Sequence, residues 1–163
     1  MTGTADKELA GRARDNVPMR DIRTQFADYA AYHQTAGNKF FHRLGIPMIM
    51  LSLLGMLARL QILRIGSLRI DAAIVLIALA QIVYFRLEWR LGLAMLFFSV
   101  LFYFAGGALP LTINVVLFIL GWIFQFIGHS LYEHRQPAFL TNAMHLLVGP
   151  LWILNDVVPM VKP

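Results

Sequence analysis

The chain has 163 residues, enough for one domain, and 58% of them are hydrophobic against 14% charged, a balance that excludes an ordinary soluble domain. Cysteine is absent, which excludes disulfides and thiolate metal sites and leaves His and oxygen groups as the available ligands. The net charge of +5 comes with no nucleic-acid fold signature and is explained by the loop bias of a membrane protein, so nucleic acid is not an expected partner.

Residues 1–20 read as a polar tail broken at Asp15, Asn16 and Pro18, with no apolar stretch of the kind a signal peptide needs. Residues 21–163 read as a single membrane-embedded domain. From Asp21, the helical recurrence of Ile22, Phe26, Tyr29 and His33 predicts an amphipathic helix lying on the membrane surface. Gly37 is expected to interrupt it, and Asn38 to cap the next segment. His33 and His42 would stand on opposite sides of one unbroken helix, so the bend is what lets both face a common point.

Four spans are predicted, at Leu44–Leu60, Ile70–Leu87, Leu91–Ala105 and Thr112–His129. Gln61–Arg69 reads as a turn, and Asp71 suits a helix N-terminus. From Leu91 to Tyr132 there is no Asp, Glu, Lys or Arg; this stretch is too long for one crossing, since a span needs roughly 20 residues. Two crossings joined by Gly106–Pro110 fit it. Phe97, Phe98, Phe102, Tyr103 and Phe104 are expected to be lipid-facing or interhelical bulk. After Pro137, the amphipathic stretch Ala138–Leu147 and the short apolar run to Asp156 read as a surface or re-entrant segment. The fold class is therefore all-α: an integral membrane four-helix bundle with a surface helix before it. An even number of crossings returns His129 and His134 to the face of His33 and His42. Eleven Lys and Arg fall on that face and three, Arg59, Arg64 and Arg69, on the other, so the N-terminus and the histidines are expected to be cytoplasmic.

The chemistry concentrates in Gly121–Pro137, GWIFQFIGHSLYEHRQP. Gln125, His129 and Glu133 are spaced four apart and stack on one helical stripe, a polar row in an apolar rod and hence a functional-site candidate. Neutral imidazole is a common ligand for iron and zinc, and two distant segments each carry helix-spaced His with a polar partner: Asn38 with His42, and Gln125 with His129 and Glu133. Glu133 either ligates a metal or accepts the second ring N–H of a ligating His. His134 is turned about 140° from His129 on an ideal helix and reads as solvated surface. His145 is placed where its helix can fold back over the site.

YHQTAGNKFFHRLGIP (Tyr32–Pro47) and QFIGHSLYEHRQPA (Gln125–Ala138) resemble the two signature blocks of the 2-hydroxy fatty acid dioxygenase family, small membrane proteins named for the metabolism of phytosphingosine to odd-numbered fatty acids. The resemblance runs from about Asp28 to Asp156. It implies an iron(II)-dependent dioxygenase that shortens 2-hydroxy fatty acids by one carbon, consuming oxygen and releasing carbon dioxide. It also implies that His33, His42 and His129 are the iron ligands; with Glu133 they form the expected catalytic set. Asn38, Lys39, Arg43, Gln125 and Arg135 are the substrate-binding candidates, the three cations being placed to steady a carboxylate or to anchor lipid headgroups. Two other readings stay open: a non-catalytic membrane protein with a structural zinc–His site, and a metal-dependent lipid hydrolase or hydroxylase.

Overall fold

The computed structural model describes residues 21–134, 136, 137, 139 and 142–161. The first helix, α1 (Ile22–Ala31), turns Ile22, Gln25, Phe26 and Tyr29 inward, the face its sequence period marks out. The second, α2 (Ala36–Leu57), starts eight residues before the expected Leu44. The break between them falls at Tyr32–Thr35, not at Gly37, and the cap is Thr35, whose Oγ1 accepts the Asn38 N–H at 3.3 Å. Gly37 sits inside the first turn of α2 for another reason. A Cβ there would overlap the Tyr132 ring, so glycine permits the close approach rather than the bend.

The expected turn after α2 is a β-hairpin, β1 (Gln61–Ile65) with β2 (Leu68–Asp71), antiparallel and paired Ile65 to Leu68. The fold is thus mostly helical rather than purely α. Gly66, at φ +60°, supplies the positive φ that a two-residue hairpin turn demands. The next helix, α3 (Ala72–Leu87), begins after the strand. Its cap is Asp71, which accepts the Ile74 N–H at 3.0 Å, as a carboxylate at a helix start should. Glu88 caps α4 (Trp89–Ala108) in the same way, through the Leu91 N–H at 2.6 Å. Gly106 and Gly107 belong to α4, so the connection to α5 (Leu111–Ile127) is only Leu109 and Pro110. The α5 rod continues into a π-helical turn, Gly128–Glu133, and α6 (Met144–Val157) closes the chain.

Glycines set how the long helices meet. Gly45 of α2 abuts Gly121 and Phe124 of α5, and Gly55 of α2 abuts Gly106 of α4 and Asn114 of α5. The pairings of Gly45 with Gly121 and of Gly55 with Asn114 run in opposite senses, so α2 is antiparallel to α5. Such small-residue contacts are the usual device where lipid removes the hydrophobic drive for helix association. Asn114, buried in the contact, donates to the Gly106 carbonyl at 2.9 Å. Outward faces are apolar and exposed, as at Phe97, Phe104 and Ile119, which marks a surface for lipid or partners. Among the described residues, three helices are long and apolar enough to cross a membrane: α2, α4, and α5 with its π turn. The expected fourth, α3, has 16 residues and rises about 24 Å, short of the roughly 30 Å of a hydrocarbon core. The most buried side chains gather at one end, where Ile22, Phe26 and Tyr29 of α1 meet Tyr84, Leu91 and the Val148, Leu151 and Trp152 face of α6. So the C-terminal helix packs one face into the core. This packed end is where the histidines lie.

Candidate metal centre

Three histidines from three places in the chain converge. His33 leaves the end of α1, His42 stands on α2 one turn past Asn38, and His129 lies in the π turn; each is about 2% exposed. One ring nitrogen of each lies within 4.8 Å of those of the others. His33 Nδ1 is 2.7 Å from the Tyr29 carbonyl oxygen and His42 Nδ1 is 3.0 Å from that of Asn38. A carbonyl only accepts, so both Nδ1 atoms carry the proton and both Nε2 atoms present lone pairs. Those two Nε2 atoms face each other at 3.1 Å. Two lone pairs at that separation repel unless a cation lies between them or beside both.

A proton is a poor candidate for that cation. Burial holds the His33 imidazole well below its ordinary range, at about 4, with the neighbouring His129 adding to the effect. A neutral, ring-oriented, desolvated imidazole is what a metal ligand requires. His33 is further fixed by stacking on Tyr29, with centroids 3.9 Å apart and planes 7° from parallel. His129 Nδ1 has no hydrogen-bond partner among the described residues. The donor set therefore fits a divalent ion that favours nitrogen ligands, such as iron or zinc, with positions left over.

The other expected site residues have distinct placements. Glu133 does not bond a histidine ring. Its Oε1 accepts the Gln34 and Thr35 main-chain N–H groups at 2.7 and 2.8 Å, the Thr35 hydroxyl at 3.0 Å and the Asn38 amide at 3.1 Å. It ties the α1–α2 loop to the π turn, while main-chain carbonyls orient the rings of His33 and His42. Asn38, fully buried, also donates to the Tyr32 carbonyl. Gln125 is buried with its Nε2 unpartnered among the described residues. Arg43 is exposed and paired with Asp156, Nε to Oδ2 at 2.8 Å, and Lys39 lies over the Trp152 ring at 5.9 Å. Arg135 lies outside the described residues. His134 is exposed and ends the π turn in the left-handed conformation, in keeping with a solvated surface position.

A cavity of about 400 Å³ runs from the histidines into the bundle. Tyr29, His33, His42, His129, Gln125 and His145 are among the polar lining; Leu53, Leu54, Leu76 and Phe118 are among the apolar lining. Between His42 and Leu54 along α2 it reaches about 18 Å at 1.5 Å per residue. Sequence reasoning passed over two of its features. Tyr29 orients His33 by both its ring and its carbonyl, a relation visible in principle from their four-residue spacing. Asp28, by contrast, meets His145 at 3.1 Å across 117 residues of chain, which no local pattern reveals.

Residues 19–161 match the family described as 2-hydroxy-palmitic acid dioxygenase Mpo1-like. The chain belongs to this family. Among curated proteins, this Mpo1-like chain is similar to the 2-hydroxy-palmitic acid dioxygenase MPO1 of Saccharomyces cerevisiae (strain ATCC 204508 / S288c). The two are 30% identical over 137 residues, covering 83% of this chain and 79% of the yeast protein. No solved structure matches the chain.

Proposed function

We propose that the protein is an iron(II)-dependent dioxygenase that shortens 2-hydroxy fatty acids by one carbon, with His33, His42 and His129 as the ligands. The observation that carries this reading is the pair of facing Nε2 lone pairs, 3.1 Å apart, on the wall of a mostly apolar cavity. The yeast relative's name supports the substrate class. The overall reaction balances without an added reductant: the 2-hydroxy acid and one dioxygen give the acid shorter by one carbon, carbon dioxide and water. Iron(II) held there supplies the redox chemistry that lets dioxygen react with the acid, and orients the two together.

The chain's own residues do the rest. Tyr29 and Asn38 carbonyls hold the Nδ1 protons of His33 and His42, keeping both Nε2 atoms free. Gln125 Nε2, a donor with no partner among the described residues, is matched to a carboxylate, which only accepts. The apolar lining takes the acyl chain and keeps water from the reacting end. Asn38 and Glu133 act from behind the site, by fixing the loop that carries His33. Lys39, which lies over the Trp152 ring, Arg43, which is paired with Asp156, and Arg135 are assigned to drawing an anionic headgroup toward the site.

In the membrane, residues 21–163 form one domain and α2, α3, α4 and α5 make four crossings, α3 reaching across with help from the hairpin and its arginines. The N-terminus and the metal centre then lie on the cytoplasmic face, with the larger share of positive charge. Metal analysis of purified protein, oxygen uptake on adding 2-hydroxyhexadecanoate, and mass spectrometry of the product test the reading. Stoichiometric iron and a saturated acid one carbon shorter are expected. Stoichiometric zinc without turnover would overturn it in favour of a structural site.

A further inference from the structure

His145 is 4% exposed and lines the same cavity as the three ligand candidates, but it is not one of the group whose ring nitrogens converge. Its Nε2 lies 3.1 Å from Asp28 Oδ2. A carboxylate only accepts, so Nε2 carries a proton, and in the neutral imidazole Nδ1 then presents a lone pair. That Nδ1 is buried and has no partner among the described residues. The rings of Tyr29 and Tyr32 pack against the imidazole, with centroids 5.6 Å away in each case, and keep it from turning. Both His145 and Gln125 line the cavity, so its wall carries an unpartnered acceptor, His145 Nδ1, and an unpartnered donor, Gln125 Nε2, each buried. Leaving either unsatisfied is costly, so a ligand that meets both is favoured.

A 2-hydroxy acid carries the complement of each. Its carboxylate can only accept, which suits Gln125. Its hydroxyl is the one group that can donate, and an unmodified fatty acid has no such hydrogen. We infer that His145, oriented by Asp28, is a substrate-binding residue whose Nδ1 accepts a hydrogen bond from the 2-hydroxyl and so selects 2-hydroxylated acids over unmodified ones. The inference rests on the 2-hydroxy acid reading of the site and names the group that recognises the hydroxyl. No proton is transferred in this step.

The test measures binding, not turnover. Full-length, metal-loaded protein in detergent is titrated under nitrogen with 2-hydroxyhexadecanoate and with hexadecanoate, each displacing a fluorescent fatty acid. His145→Phe should cut the ratio of the two affinities by about tenfold, the worth of one hydrogen bond, with hexadecanoate affinity and metal content unchanged. His145→Asn, whose amide oxygen reaches the position of Nδ1, should restore part of the ratio. Asp28→Asn, half-exposed and milder, should lower the ratio by loosening the tautomer. An unchanged ratio in His145→Phe would overturn the inference, as would equal weakening of both acids or loss of metal, which would make His145 a packing residue or a ligand. Failure of the unaltered protein to bind either acid would instead overturn the functional reading beneath it.

Discussion

The three converging imidazoles come from three different stretches of chain, and main-chain carbonyls orient two of them, His33 and His42, so single replacements should not compensate one another. His33→Ala, His42→Ala and His129→Ala are each expected to lose bound metal and turnover, read by metal analysis and product mass spectrometry, whereas His134→Ala should keep both. Comparable loss at position 134 would contradict the assignment of faces. These three histidines were legible in the sequence: His42 and His129 by their helical spacing to Asn38 and Gln125, and His33 by its place on the period of Ile22, Phe26 and Tyr29. The part played by Glu133 was not. Two of its donors are the main-chain N–H groups of Gln34 and Thr35, which leave no trace in side-chain identity. The other two, the Thr35 hydroxyl and the Asn38 amide, lie 98 and 95 residues away in the chain. The Asp28–His145 pair was hidden for a related reason, since only packing of α6 back onto α1 creates it.

At the level of elements, helix identity was readable and helix ends were not. Apolar composition marked α2 to α5, but their first residues depend on which side chain wins the cap. Thr35 took that position ahead of Asn38, and Asp71 began α3 only after a strand had used Ile70. The hairpin went unseen because arginines interrupt its apolar residues and it has no buried face; only the turn at Gly66 betrayed it. The crossing of α2 and α4 leaves no room for an added atom. A Cβ at Gly106 would overlap the Leu51 carbonyl oxygen and crowd Gly55, backbone that cannot rotate aside. Gly106→Ala should therefore lower stability by about 1–3 kcal/mol, visible as a lower melting temperature in detergent. Gly107→Ala, with open space around its position, should not.

For the whole molecule, the absence of cysteine makes topology directly measurable. Single cysteines replacing Gln34, beside the histidines, and Ser67, at the hairpin tip, should be labelled by a membrane-impermeant maleimide from opposite faces of sealed vesicles. Labelling from one face would rule out the four-crossing arrangement, which the sequence suggested by charge balance and for which α3 is short. The cavity makes a second demand at this scale. Leu54 and Leu76 are part of its apolar lining, so Leu54→Ala should move the preferred acid to longer chains and Leu76→Trp to shorter ones, measured across a series of 2-hydroxy acids.

The ligand candidates are delivered by three separate stretches of polypeptide: the exit of α1, the start of α2 and the end of α5. An ion bound among them would also be a rivet, fastening the amino-terminal helix to the rod that arrives almost a hundred residues later. Chelation should then do more than silence the enzyme. It should quicken protease cleavage between α1 and α2, so that a cell starved of the metal would hold a looser protein and clear it sooner.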